Sequence, residues 1–248
     1  MKRILLLVLG AGLLLFAVLV VAIVLFVRSS MQQFAELSYP IASSMPPEVD
    51  GSMDEVLLRL ERVLSAKAPQ TLAALQPGLS ADRITELEQQ GGITLSPELR
   101  ALYRWRNGMT GGASQDLIPG HQFPSLEQVI ERKAAEAESL ASATAFQRAS
   151  YNAIVGYRTA WLPLFPDLAG DGYFYDPNRA PHEGAVFFHF AEMSHFVFFP
   201  SIKNLLAGIA ECYETEVFSA DSSGRLVQDY EKTDAVWRKY GSIQSPGY

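Results

Sequence analysis

The residues able to do chemistry are few and scattered along the chain. Cys212 is the single cysteine, and it sits beside Ile209 and Tyr213 in a helical pattern. A lone thiol in that setting is a small core residue rather than a nucleophile. One cysteine also excludes an intrachain disulfide framework and any cysteine-rich metal site. His189 and His195 flank a turn with Glu192 between them. Two imidazoles and a carboxylate can hold zinc, but this spacing fits no common zinc signature, so packed or solvated histidines are expected. Asp167, Asp171 and Gly172 match the first, fifth and sixth places of a calcium loop. Ala169 and Asn178 stand where two further ligands are required. The segment therefore reads as a turn, with Gly170 and Gly172 supplying unusual backbone angles and the aspartates bonding nearby amides. No G-x-S-x-G elbow or phosphate loop appears. No catalytic residue, metal or cofactor is expected, and the chain does not read as an enzyme.

Two clusters suit protein contact instead. Arg104, Trp105 and Arg106 precede Asn107-Gly108. An exposed Trp/Arg group is a plausible anchor for a partner, and a buried one leaves Trp105 in the core with solvated arginines. Asp167, Asp171 and Asp176 fall in one loop-strand-turn segment. Tyr173 and Tyr175 alternate along its strand, so both point to one face. If that face is open, two aromatics beside three carboxylates suit a basic partner. If it is buried, only the loop tip around Asp171 is left to bind. The open arrangement is the expectation.

Charge points the same way. The net charge is −7, and setting aside Lys2, Arg3 and Arg28 leaves −10 on the rest of the 248 residues. An acidic domain is a poor nucleic-acid binder, because phosphate contacts supply most of that affinity. It suits a basic protein, although surplus acid also simply keeps a domain soluble.

The elements that must position these residues begin with an apolar run. Ile4 to Val27 carries no charge. As a helix it would span about 36 Å, enough to cross a bilayer with some tilt. It is too long for a signal h-region and no small-residue cleavage site follows, so 4–27 reads as a retained transmembrane helix. Lys2 and Arg3 precede it; only Arg28 follows closely, with Arg59 the next basic residue. The positive-inside rule then keeps the N-terminus in the cytoplasm and exports the rest. That is a single-pass inner-membrane protein with a periplasmic domain. Residues 28–51, rich in proline, serine and small residues towards their end, read as a linker.

From residue 52 the punctuation is helical. Ser52–Glu55 and Ser125–Gln128 are capping boxes. Ser80 opens a helix that Gly91-Gly92 stops, and Ser96-Pro97 opens another that Asn107-Gly108 closes. Pro69 ends the helix begun at Ser52. The helix after Ser125 runs to about Ser150. Strands follow at Trp161–Phe165, Tyr173–Asp176, Val186–Phe190 and Phe196–Phe199, with Ala191–Ser194 as a hairpin loop. Ser201 caps a helix to about Phe218, and a last helix lies near Thr233–Tyr240. The pattern predicts an α+β domain over 52–248, an antiparallel meander with helices packed on one face.

Three stretches together resemble the SUKH superfamily, the Smi/Knr cell-wall-regulator family. The first is Leu75–Met109, similar to the family phrase G-I-x-L-P-x-E-L-x-x-L-Y-x-x-x-N-G, with Ser96 in place of its proline. The second is Leu162–Phe165 followed by Asp167 and Gly170–Pro177. The third is Phe199–Leu206, like the family's strand-to-helix F-x-S-x-x-x-x-L. The resemblance implies a mixed α/β binding module without turnover. Bacterial members are typically immunity proteins that neutralise a toxin, and fungal members regulate cell-wall synthesis. Most bacterial members are cytosolic, many facing nucleases, so the anchor here argues against a nuclease partner. The expected function is a membrane-anchored immunity protein, the alternative an envelope scaffold that recruits a cell-wall enzyme.

Overall fold

Five serines and one aspartate start six helices by the same local chemistry. The side chains of Ser52, Ser80, Ser96, Ser125 and Ser201 each accept the amide three residues on, from Glu55, Arg83, Leu99, Gln128 and Asn204. Asp229 accepts that of Lys232. Each such cap contributes about 0.5–2 kcal/mol by satisfying an amide the helix cannot. The capping boxes at Ser52 and Ser125 are complete, with Glu55 and Gln128 reaching back.

A computed structural model describes residues 45–110, 116–144, 160–177, 184–189 and 197–243. The transmembrane expectation for 4–27, most of the 28–51 linker, and the Ala191–Ser194 loop with Glu192 and His195 lie outside the described residues. Among the described residues no helix is long and apolar enough to cross a membrane.

The helical half holds α1 (Met53–Lys67), α2 (Pro69–Ala74), α3 (Ala81–Gly91), α4 (Pro97–Trp105) and α5 (Leu126–Ser142), with short strands β1 (Leu75–Pro77) and β2 (Arg106–Met109) paired antiparallel. A meander follows: β3 (Leu162–Pro166), β4 (Gly172–Asp176), β5 (Ala185–His189) and β6 (Val197–Phe199). Next come α6 (Ile202–Glu214), the ribbon β7 (Phe218–Ala220) and β8 (Leu226–Gln228), α7 (Tyr230–Tyr240) and β9 (Ser242–Ile243). The main sheet is antiparallel in the order β3-β4-β5-β6-β9. The α+β expectation therefore stands.

Its finer terms need correction. Helices were expected on one face of the sheet, and the described helices pack there; the opposite face, for which no cover was expected, is buried as well. Tyr173, Tyr175, Val186 and Phe199 look to the helices, where Trp237 of α7 packs edge-on against Phe199 at 5.3 Å. On the other face Phe174 and Phe187 stack at 6.2 Å and Trp161 meets Phe187 at 4.4 Å, all buried. A strand covered on both sides is buried at every position, as Gly172–Asp176 is, with the aromatic run Tyr173–Tyr175 at its centre.

Pro69 does not merely end α1; it is the first residue of α2, where its missing amide costs nothing. Asn107-Gly108 does not close α4, which stops at Trp105 because Arg106 is extended. The pair lies in β2 and docks onto the start of α5. Asn107 accepts the Leu126 amide at 2.9 Å and donates to Glu127 at 2.9 Å. Gly108, at φ +81°, lies so close that a Cβ would sit 2.5 Å from the Ser125 nitrogen. The expected linker also ends early. The buried Asn204 carboxamide accepts the Val49 amide at 3.0 Å and donates to the Pro47 carbonyl at 3.1 Å, fixing those residues to the domain.

Candidate functional site

The β3–β4 hairpin closes on itself through a single carboxylate. Asp167 Oδ1 accepts three successive amides, those of Ala169, Gly170 and Asp171, at 2.8, 2.8 and 2.9 Å. The Asp167 amide donates to the Asp171 carbonyl at 2.7 Å. Gly172, at φ +137°, is the pivot: a Cβ there would lie 2.2 Å from the Phe165 carbonyl oxygen. Three amides gathered on one carboxylate oxygen bear out the reading of this segment as a turn in which aspartate bonds nearby amides. Among the described residues no group of three or more His, Cys, Asp or Glu is placed to hold a metal ion.

The tight turn leaves its one large apolar side chain pointing out. Leu168 is 86% exposed at the tip. The sequence reading passed over it, although an aliphatic residue inside an otherwise polar and glycine-rich turn was the signal available.

The open tyrosine face is overturned. Tyr173 is 5% exposed and Tyr175 4%, and both belong to the main core. The Tyr173 hydroxyl accepts the Trp237 indole N–H at 3.1 Å, and burial pushes its pKa well up. Asp176 is 1% exposed and accepts the Trp161 indole N–H at 2.9 Å. Of the five expected contact residues in this segment, the structure leaves only the tip around Asp167 and Asp171 near the surface, and Asp171 is itself largely covered.

Two imidazoles feel the Asp171 charge. His121 packs between Tyr173 and Phe188, with ring centroids at 5.4 and 5.7 Å. Burial lowers its pKa, against the raising pull of the Pro119 carbonyl, Asp167 and Asp171. His189, paired across from Gly172, is lowered in the same way, with Asp171 pulling it up.

The second cluster is a braced corner at the end of α4. Trp105 donates its indole N–H to Glu61 at 2.7 Å, and Arg106 donates to the other Glu61 oxygen at 3.0 Å. The Arg106 guanidinium lies 5.4 Å from the Trp105 ring centroid, a cation–π contact. Trp105 and Arg106 are half-buried and Arg104 is exposed. The corner combines the two readings considered for it, core on one side and surface on the other.

A further connection escaped the sequence reading. Glu98 of α4 accepts the Ile202 and Lys203 amides at 2.9 and 3.3 Å, so an acid from one helix caps the start of another. Burial nonetheless raises its pKa.

Serine-capped helices over an antiparallel aromatic meander, with Glu98 and Asn107 capping neighbouring helices, make an α+β domain. The model of the SMI1 / KNR4 family (SUKH-1) matches residues 78–208, just over half the chain. The chain belongs to that family. No curated protein matches it.

Proposed function

We propose that this chain is a membrane-anchored immunity protein that binds a basic toxin and blocks it by surface complementarity, without catalysis. The observation that carries the reading is the hairpin tip: a loop held rigid by Asp167 presents the exposed aliphatic Leu168. A contact group that is already ordered loses little entropy on binding. Family membership and the surplus of acid over base support the same reading, the latter by steering a basic partner. The uncharged run 4–27, with Lys2 and Arg3 before it, supports an inner-membrane anchor and a periplasmic domain.

The test is co-purification with the product of the neighbouring gene expressed in the same cell. A complex should form, and Leu168→Asp should weaken it at least about tenfold, since burying a leucine side chain contributes about 1.5–3 kcal/mol. The urea midpoint should not move. A neighbour that is a cell-wall synthetic enzyme would shift the reading to the envelope scaffold. A complex indifferent to Leu168→Asp would remove the hairpin from the interface.

A further inference from the structure

Away from the hairpin tip, a pocket of about 210 Å3 opens between the α1–α2 junction and the β7–β8 ribbon. Its buried walls are Thr71, Tyr213, Phe218 and Leu226; Pro69 and Ala220 form exposed sides. The polar atom of the deepest ring is already committed, because the Tyr213 hydroxyl donates to the Leu117 carbonyl at 3.0 Å. The Thr71 side chain is bonded to the same hydroxyl, so the rings of Tyr213 and Phe218 and the Leu226 side chain are left as the apolar part of a wall that is otherwise polar. It is also the end of a run of edge-to-face rings: Tyr213 meets Phe218 at 5.5 Å, and Phe218 meets Trp237 at 6.1 Å. A further ring placed against Tyr213 and Phe218 would extend that run in the geometry aromatic pairs prefer.

The lip is electrically closed. Lys67, which also lines the pocket, pairs with Glu216 at 2.7 Å. Glu216 is the one described non-glycine residue with positive φ, at 58°. It stands just past the end of α6, where glycine is the usual residue. Holding a glutamate there places its carboxylate on Lys67 and leaves the mouth without net charge. Size narrows the choice. An apolar cavity of about 150 Å3 takes benzene, so this pocket has room for a ring with one small substituent.

We propose that the pocket seats one neutral aromatic ring, presented as a side chain by a protein partner. The source of the ring rests on the reading of the chain as a binding protein; the chemistry of the pocket does not. The experiment is amide NMR on the full chain in lipid nanodiscs, titrated with p-cresol, with the capped tripeptide Gly-Tyr-Gly, and with capped Gly-Leu-Gly and Gly-Lys-Gly. The expected result is saturable shifts of the Thr71, Phe218, Ala220 and Leu226 amides in the millimolar range with p-cresol and the tyrosine peptide. The leucine and lysine peptides should bind several-fold more weakly. Ala220→Trp, which fills the mouth from an exposed strand position, should abolish the shifts. Absence of saturable shifts with p-cresol would overturn the ring site. Binding of p-cresol but not of the tyrosine peptide would overturn the protein source. Equal shifts in Ala220→Trp would place the binding elsewhere. None of these outcomes needs a cognate toxin, so failure of the immunity reading would show separately, as a neighbour that does not bind.

Discussion

Asp116 shows how one buried carboxyl sets a pH dependence. It lies just before the Ile118–His121 turn, and burial raises its pKa from 3.8 to about 6 against the opposing Gly120 amide. Between those values the folded state holds the proton and the unfolded chain has lost it. Stability must therefore fall as pH rises through that window and level off above it. Asp116→Asn keeps an oxygen for the Gly120 amide and removes the titration. Urea titrations at pH 4 and pH 7 should show the variant gaining on the parent by on the order of 2–3 kcal/mol at the higher pH. Equal differences at both values would mean Asp116 is ionised in the folded protein. At this scale the sequence was legible where a residue's job is local. Asp167 was expected to bond nearby amides and does, three of them. Tyr173 and Tyr175 were misplaced because alternation states only that they share a face. That their shared face is covered depends on Trp237, 62 residues beyond Tyr175 in the sequence and unreadable from the strand itself.

The elements divide along the same line. Helix starts were readable at the five serine caps, because such a cap acts within three residues; the Asp229 cap went unread, so the last helix starts at Tyr230, three residues before the expected Thr233. The ends were less readable, since Asn107-Gly108 resembles a helix stop and is used as a dock for α5. The short pairs β1–β2 and β7–β8 carry only three or four residues a strand, too few for a period to show. Within α4, Leu99, Leu102 and Tyr103 fall at helical spacing on one face and are buried. Leu102→Ala should cost about 2–5 kcal/mol in a denaturant titration, as truncation of a fully buried leucine does. A loss below about 0.5 kcal/mol would be surface behaviour and would contradict the packing of α4.

For the whole molecule, the proposed anchor carries a prediction about the side of a bilayer on which the domain would lie. The proposed anchor has two basic residues before it and one close behind. A C-terminal alkaline phosphatase fusion should therefore be active and a C-terminal green fluorescent protein fusion dark. The reverse result would return the domain to the cytoplasm and reopen a cytosolic partner. An acidic domain facing the periplasm would also bind its basic partner less tightly as salt rises, since exposed charges are screened beyond about 10 Å at 0.1 M.

One carboxamide joins the two edges of this fold. The Asn204 amide group donates both to the Pro47 carbonyl at 3.1 Å and to the Tyr240 carbonyl at 2.9 Å. The first described segment of the domain thus meets the end of α7, just before β9 joins the sheet, at one side chain. A module built so can be spliced into an exposed loop of a host protein with little spreading of the loop's ends.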